Sequence, residues 1–178
     1  MPFVSGNPII CITSQNPEKN RVYITGSMPY TKKFLVALGK SFLKALPHKT
    51  SQNSYRIQFA FMFSLLFVYA WTKKIYLIPT CILRTAEEQF QRYQQGRTTP
   101  GKIVTNTDGY KKRSRHQRWR AGDILVLAWD GRRFQSKWRP REPYEILGEF
   151  WEGLGGTWGG RWKERGITTF DDPYHFQI

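Results

Sequence analysis

Residues 57–71 read IQFAFMFSLLFVYAW, the most apolar stretch of the chain. A helix of this size falls short of the ~20 residues that cross a bilayer, and Gln58 and Ser64 interrupt its apolar surface. It is expected as a buried core helix, with a membrane anchor as the competing reading. Lys73 and Lys74 end it. A helix apolar around most of its circumference needs other elements to cover it. The chain's 178 residues leave room for one domain of ordinary size. Aromatic residues at 16% supply a core and exclude a disordered basic tail.

Charge divides the chain unevenly. Lys plus Arg number 28 against 13 Asp plus Glu, a net charge of +15. Residues 1–83 carry ten of the cations and a single acid, Glu18, whereas residues 84–178 are mixed in sign. An anionic partner or surrounding is expected: nucleic acid, a membrane surface or an envelope polymer. Cys11 and Cys81 lie far apart, which excludes a disulfide scaffold and a Cys-rich zinc finger. No basic start followed by an apolar run and a small-residue cleavage site is evident, so no clear signal peptide is expected.

Val22–Thr25 reads as a short strand and Gly26–Pro29 as a turn. Thr31–Leu46 has helical spacing, with Phe34, Leu35, Leu38, Phe42 and Leu46 on one face and lysines over much of the rest. That helix either docks on the domain with its lysines solvated, the favoured reading, or lies on an anionic surface. Residues 1–50 are otherwise a basic N-terminal extension of unassigned role.

Ile75–Leu83 reads as a strand interrupted by Pro79. Thr85–Tyr93 is a helix with Glu87 and Glu88 in its first turn, where the helix dipole favours them. Lys102–Asn106 is expected as a short strand, and 108–120 as an irregular basic stretch. Asp123–Trp129 is an apolar strand leading through the Asp130-Gly131 turn into a hairpin over 123–138. Glu142–Leu154 is helical, with Tyr144, Leu147, Trp151 and Leu154 on one stripe. A Gly/Trp-rich loop and a final strand complete an α+β order.

Three histidines are present: His48, His116 and His175. Asp123 follows His116, and Asp172 stands three positions before His175. Two imidazoles and a carboxylate suit zinc with an open fourth position. A further carboxylate beside such a site can carry a proton. The spacing alone is more often that of a surface polar pair than of a metal site.

Three ordered segments add to this. LRTAEEQFQRYQQGRTTPGKIVTN at 83–106 and SRHQRWRAGD at 114–123 are followed by LGEFWEGLGGTWGGRW and the terminal DPYHF. Together, over roughly 57–178, they resemble the zinc D-alanyl-D-alanine carboxypeptidase and L-alanyl-D-glutamate endopeptidase family of phage endolysins and bacterial cell-wall enzymes. The resemblance implies a small antiparallel sheet with flanking helices around a single zinc site, the Hedgehog/D,D-peptidase-like fold, in a domain spanning 57–178. It implies one zinc ion held by His116, Asp123 and His175, with a zinc-bound water as the nucleophile. Asp172 is implied as general base and acid, and Arg84 as the group polarising the scissile carbonyl; the alternative for Arg84 is a salt bridge to Glu87 or Glu88. Ser114 and Trp158 are candidates for substrate contact, against a loop-fixing role for Ser114 and a wall-shaping role for Trp158. The implied partner is a peptidoglycan peptide.

The sequence departs from the family pattern where a glycine is replaced by Trp119. If that position has positive φ, Trp there costs on the order of 1–3 kcal/mol. The loop is then rearranged, Trp119 lines the substrate groove, or the enzyme is an impaired homologue that binds cell-wall peptide. A basic nucleic-acid-binding protein, suggested by KKRSRHQRWR at 111–120, is the remaining alternative; no nucleic-acid module is recognisable, and no nucleic-acid partner is expected.

Overall fold

A computed structural model describes residues 30–47, 50–136 and 141–178. The expected strand at 22–25, the turn at 26–29, Cys11 and His48 lie outside the described residues.

The apolar stretch is the central helix. It begins earlier than its hydrophobic run, because Ser51 caps it by accepting the Ser54 N–H at 3.0 Å. The result is α2, Gln52–Thr72, preceded by α1, Lys32–Ala45. Among the described residues no helix is long and apolar enough to cross a membrane. Helix α2 buries Phe59, Met62, Leu66 and Tyr69 against α4, Glu142–Gly153, which supplies Tyr144, Leu147, Phe150 and Trp151. The rings of Tyr69 and Phe150 stack at 4.2 Å, and Trp151 meets Phe59 and Phe176 edge-on. Helix α1 docks on this pair through Leu35, which is fully buried. Its lysines remain outside.

Among the described residues the sheet is antiparallel and has five strands. They are β1 (Tyr76–Cys81), β2 (Ala121–Trp129), β3 (Phe134–Ser136), β4 (Thr157–Trp158) and β5 (His175–Gln177). Their order is β1-β2-β5-β4, with β3 paired to the far end of β2 as the expected hairpin. Pro79 lies in β1, an edge strand, where a missing N–H is tolerated. The register shifts between Pro79 and Cys81, which brings Cys81 opposite Asp123.

Alternation along β2 separates two faces. Gly122, Ile124 and Val126 face the helices, while Asp123 points to the opposite side. Strand β5 alternates likewise, with Phe176 in the core and His175 on the Asp123 side. The helical layer therefore backs the sheet and leaves its other face for chemistry. Helix α3, Ala86–Gln94, starts with a reciprocal cap between Thr85 and Glu88.

The expected strand at 102–106 does not form. Its polar groups are claimed by side chains: Gln95 Nε2 donates to the Lys102 carbonyl at 3.1 Å and Arg97 Nη1 to the Thr105 carbonyl at 3.1 Å. With those acceptors satisfied locally, the segment has no call on a neighbouring strand.

Candidate metal centre and active site

Three ligand-type atoms meet on the open face of the sheet. His175 Nδ1 lies 2.9 Å from Asp123 Oδ1, His116 Nε2 lies 3.2 Å from the same oxygen, and the two ring nitrogens are 3.2 Å apart. Asp123 and His175 are cross-strand partners in the β2–β5 register. His116 arrives from the single 3-10 turn, His116–Arg118, that leads into β2. The ring stands buried beside its two partners.

The outer nitrogen of each imidazole faces an acceptor. His116 Nδ1 faces the Ile82 carbonyl at 3.4 Å, and His175 Nε2 faces Gln177 Oε1 at 3.1 Å. In the neutral ring, donating outward in this way leaves each inner nitrogen a lone pair for a metal. Tetrahedral zinc with N and O ligands places neighbouring donors about 3.3 Å apart. The triangle fits that ion, and its donor types suit zinc.

A second grouping shares two of these residues: ligand atoms of Cys81, His116 and Asp123 lie within 4.8 Å of one another. Cys81 Sγ, however, approaches His116 on its Nδ1 side, at 3.7 Å. One imidazole binds a single ion through one nitrogen, and the Nε2 triangle is the tighter. Cys81 therefore sits behind His116, between it and Arg84 Nη2 at 3.5 Å.

Electrostatics bind the cluster together. Burial opposes a charge on His116, but hydrogen bonds to Asp123 and Cys81 outweigh it, so its pKa is pushed up to about 9. Burial likewise opposes ionisation of Asp123, yet both histidines hold its carboxyl well below the usual carboxylate range. Asp172 behaves differently. Burial raises its pKa, the nearby His175 opposes this, and the negative charge of Asp123 reinforces it.

Asp172 lines the same cleft as His116, Asp123 and His175, a cavity of about 380 Å³. Its segment is pinned from both ends of the peptide: Asp172 N–H donates to the Gly159 carbonyl at 2.9 Å, and its carbonyl accepts the His175 N–H at 3.2 Å. Arg84 is buried at the cleft, with Nη2 3.4 Å from Asp123 Oδ2 and Nη1 donating to Gln89 Oε1 at 2.8 Å. It faces the site through these partners rather than forming the alternative salt bridge to Glu87 or Glu88. Gln89, wholly buried, is held in turn by Thr105 and Thr107.

Ser114 fixes its loop: its N–H donates to Gln117 Oε1 at 2.8 Å, and its Oγ accepts the Gln117 N–H at 3.4 Å. Trp158 requires a correction. It is fully buried, paired with Phe176 across β4–β5, and has no surface to offer a substrate. Its indole N–H donates to the Pro173 carbonyl at 2.8 Å, so it steadies the segment after Asp172. The tryptophan on the cleft wall is Trp162, whose ring lies 4.9 Å from that of His175.

Trp119 does adopt a left-handed conformation, φ 58° and ψ 40°, closing the 3-10 turn with its N–H on the His116 carbonyl at 3.1 Å. Its side chain is partly exposed and does not line the cleft. The strain of a non-glycine residue there has not prevented the three donor atoms from converging.

Sequence reasoning missed Cys81, Gln89, Gln177 and Trp162. Of these, Gln89 and Trp162 stood inside the motif segments at 83–106 and 147–162; Cys81 and Gln177 are placed by strand register. Residues 107–178 match the family described as D-alanyl-D-alanine carboxypeptidase.

Proposed function

We propose, from the match of residues 107–178 to the D-alanyl-D-alanine carboxypeptidase family, that this protein is a zinc-dependent peptidase that hydrolyses a peptide bond in the peptidoglycan stem. The observation that carries the proposal is the triangle of His116 Nε2, Asp123 Oδ1 and His175 Nδ1, with sides of 3.2, 2.9 and 3.2 Å. These three residues would hold the ion. When bound there, zinc supplies a Lewis acid for the carbonyl and lowers the pKa of a coordinated water.

The chain's own residues do the rest. Asp172 has a raised pKa and stands in the same cleft. It accepts a proton from the attacking water, then delivers that proton to the leaving amine nitrogen. Arg84 keeps guanidinium donors beyond those spent on Gln89, Asp123 and Cys81, and these serve the oxygen on which negative charge develops. Cys81 and Ile82 orient His116, and Gln177 orients His175.

The cleft itself supports a carboxylate-bearing peptide as substrate. Arg84, Arg92, Lys112, Arg113 and Arg115 line it against only Asp123 and Asp172. Peptidoglycan stems carry free carboxylates, which such a wall attracts. The test is release of new amino or carboxyl termini from purified peptidoglycan, with and without a chelator. Chelator-sensitive release is expected. Release indifferent to the chelator, or no release by zinc-loaded protein, overturns the proposal.

A further inference from the structure

Among the described residues, helix α2 exposes a line that its neighbours leave uncovered: Ile57, Ala60, Ser64, Val68 and Trp71. These follow helical spacing down one side. Ile57 is 50% exposed and Trp71 is 59% exposed. Exposed helix faces usually carry charge, but no charged residue occurs between Ile57 and Thr72.

The line runs into an aromatic cluster. Trp71 meets Tyr76 at 6.1 Å, Tyr76 meets Phe134 at 5.1 Å, and Phe134 meets Trp129 at 5.1 Å. Phe67, Trp71, Leu77, Leu127 and Phe134 share an apolar hollow of about 250 Å³ there. The cluster lies roughly 20 Å along β2 from Asp123, so catalysis has no use for it. Contiguous apolar surface of this kind marks an interaction site.

Charge identifies the occupant. Residues 30–83 contain no Asp or Glu, and Arg56, Lys73 and Lys74 frame the stripe at its two ends. Arg132 and Arg133 stand beside Phe134 in the hairpin. Exposed Trp and Tyr, a smooth apolar strip and a rim of cations together fit the boundary between lipid headgroups and acyl chains. A glycan-binding platform would instead set polar side chains among its aromatic rings, and the α2 stripe offers only Ser64, whose hydroxyl donates to the Ala60 carbonyl at 2.9 Å. We propose that the outer face of α2, continued by Trp71, Tyr76, Phe134 and Trp129, docks this protein on an anionic lipid bilayer.

The experiment is cosedimentation of the full chain with vesicles of phosphatidylglycerol and phosphatidylcholine, compared with phosphatidylcholine alone. Binding to the anionic vesicles is expected, weakened by salt and by about tenfold in Trp71→Ser/Phe134→Ser. Equal binding to both vesicle types overturns the proposal, as does undiminished binding by a folded variant. Quenching of the unmodified protein's tryptophans by bromine-labelled phosphatidylglycerol needs no substitution, and its absence overturns the proposal too. Binding to purified peptidoglycan that the same variants abolish, with no vesicle binding, assigns the face to glycan instead. None of these readouts depends on peptidase activity.

Discussion

Asp123 on β2 and His175 on β5 stand opposite each other in register, and their side chains close to 2.9 Å between Oδ1 and Nδ1. The candidate metal centre is thus built on a strand pair whose other face is the core. Displacing that core should disturb the site from behind.

Gly122, next to Asp123, is where this coupling is tightest. A Cβ there would lie 2.8 Å from Phe63 Cζ and 3.1 Å from Phe59 Cζ on α2. Gly122→Val is expected to destabilise the protein by about 1–3 kcal/mol and to weaken metal retention. Denaturant midpoints and metal content check this; a variant as stable as the parent contradicts the packing described.

Trp119 offers the opposite case. Its φ of 58° is costly for a bulky side chain, and the ring is 43% exposed, so little packing is lost on its removal. Trp119→Gly should raise stability by about 1 kcal/mol. A lower denaturation midpoint would show that the ring contributes more by contact than its backbone costs.

Asp172 is positioned by Gly159, and a Cβ at Gly159 would overlap the Asp172 carbonyl. Asp172→Asn should abolish turnover while leaving bound metal unchanged. Gly159→Ala should lower kcat in the same direction but less completely. Full activity in Asp172→Asn removes its assignment as proton carrier.

The metal-free protein should lose stability as pH rises. His116 has its folded pKa raised from 6.5 to about 9. Its contribution is therefore complete below about 6.5 and is lost as pH climbs through about 9. Asp172, raised by burial, acts in the same direction from the carboxylate range upward. Zinc competes with the His116 proton, so apparent zinc affinity should rise over the same interval. Thermal melts of chelated protein at stepped pH give the first trend, and zinc titrations give the second. A melting temperature that increases between pH 7 and 9 contradicts the pairing of His116 with Asp123.

Much of this arrangement was legible in the residues. The length of 57–71 and its lack of charge specified a core helix, and the Asp130-Gly131 turn specified a hairpin. The ordered motifs brought His116, Asp123 and His175 forward as a set, and the structure gathers them. What stayed hidden depends on long-range register. Cys81 reaches His116 only because β1 shifts by a residue after Pro79. Lys102–Asn106 has a strand-like composition, yet Gln95 and Arg97 take its carbonyls. Trp158 and Trp162 look equivalent in GGTWGGRW, but the turn Gly159–Arg161 sends one into the core and the other to the cleft.

The most direct test of the central claim is the zinc content of the purified full chain beside His116→Ala, Asp123→Ala and His175→Ala. About one zinc per chain is expected, retained through gel filtration and lost in each of the three variants. Retention of zinc in His175→Ala together with its loss in Cys81→Ala would contradict the assigned triangle and move the site to Cys81, His116 and Asp123.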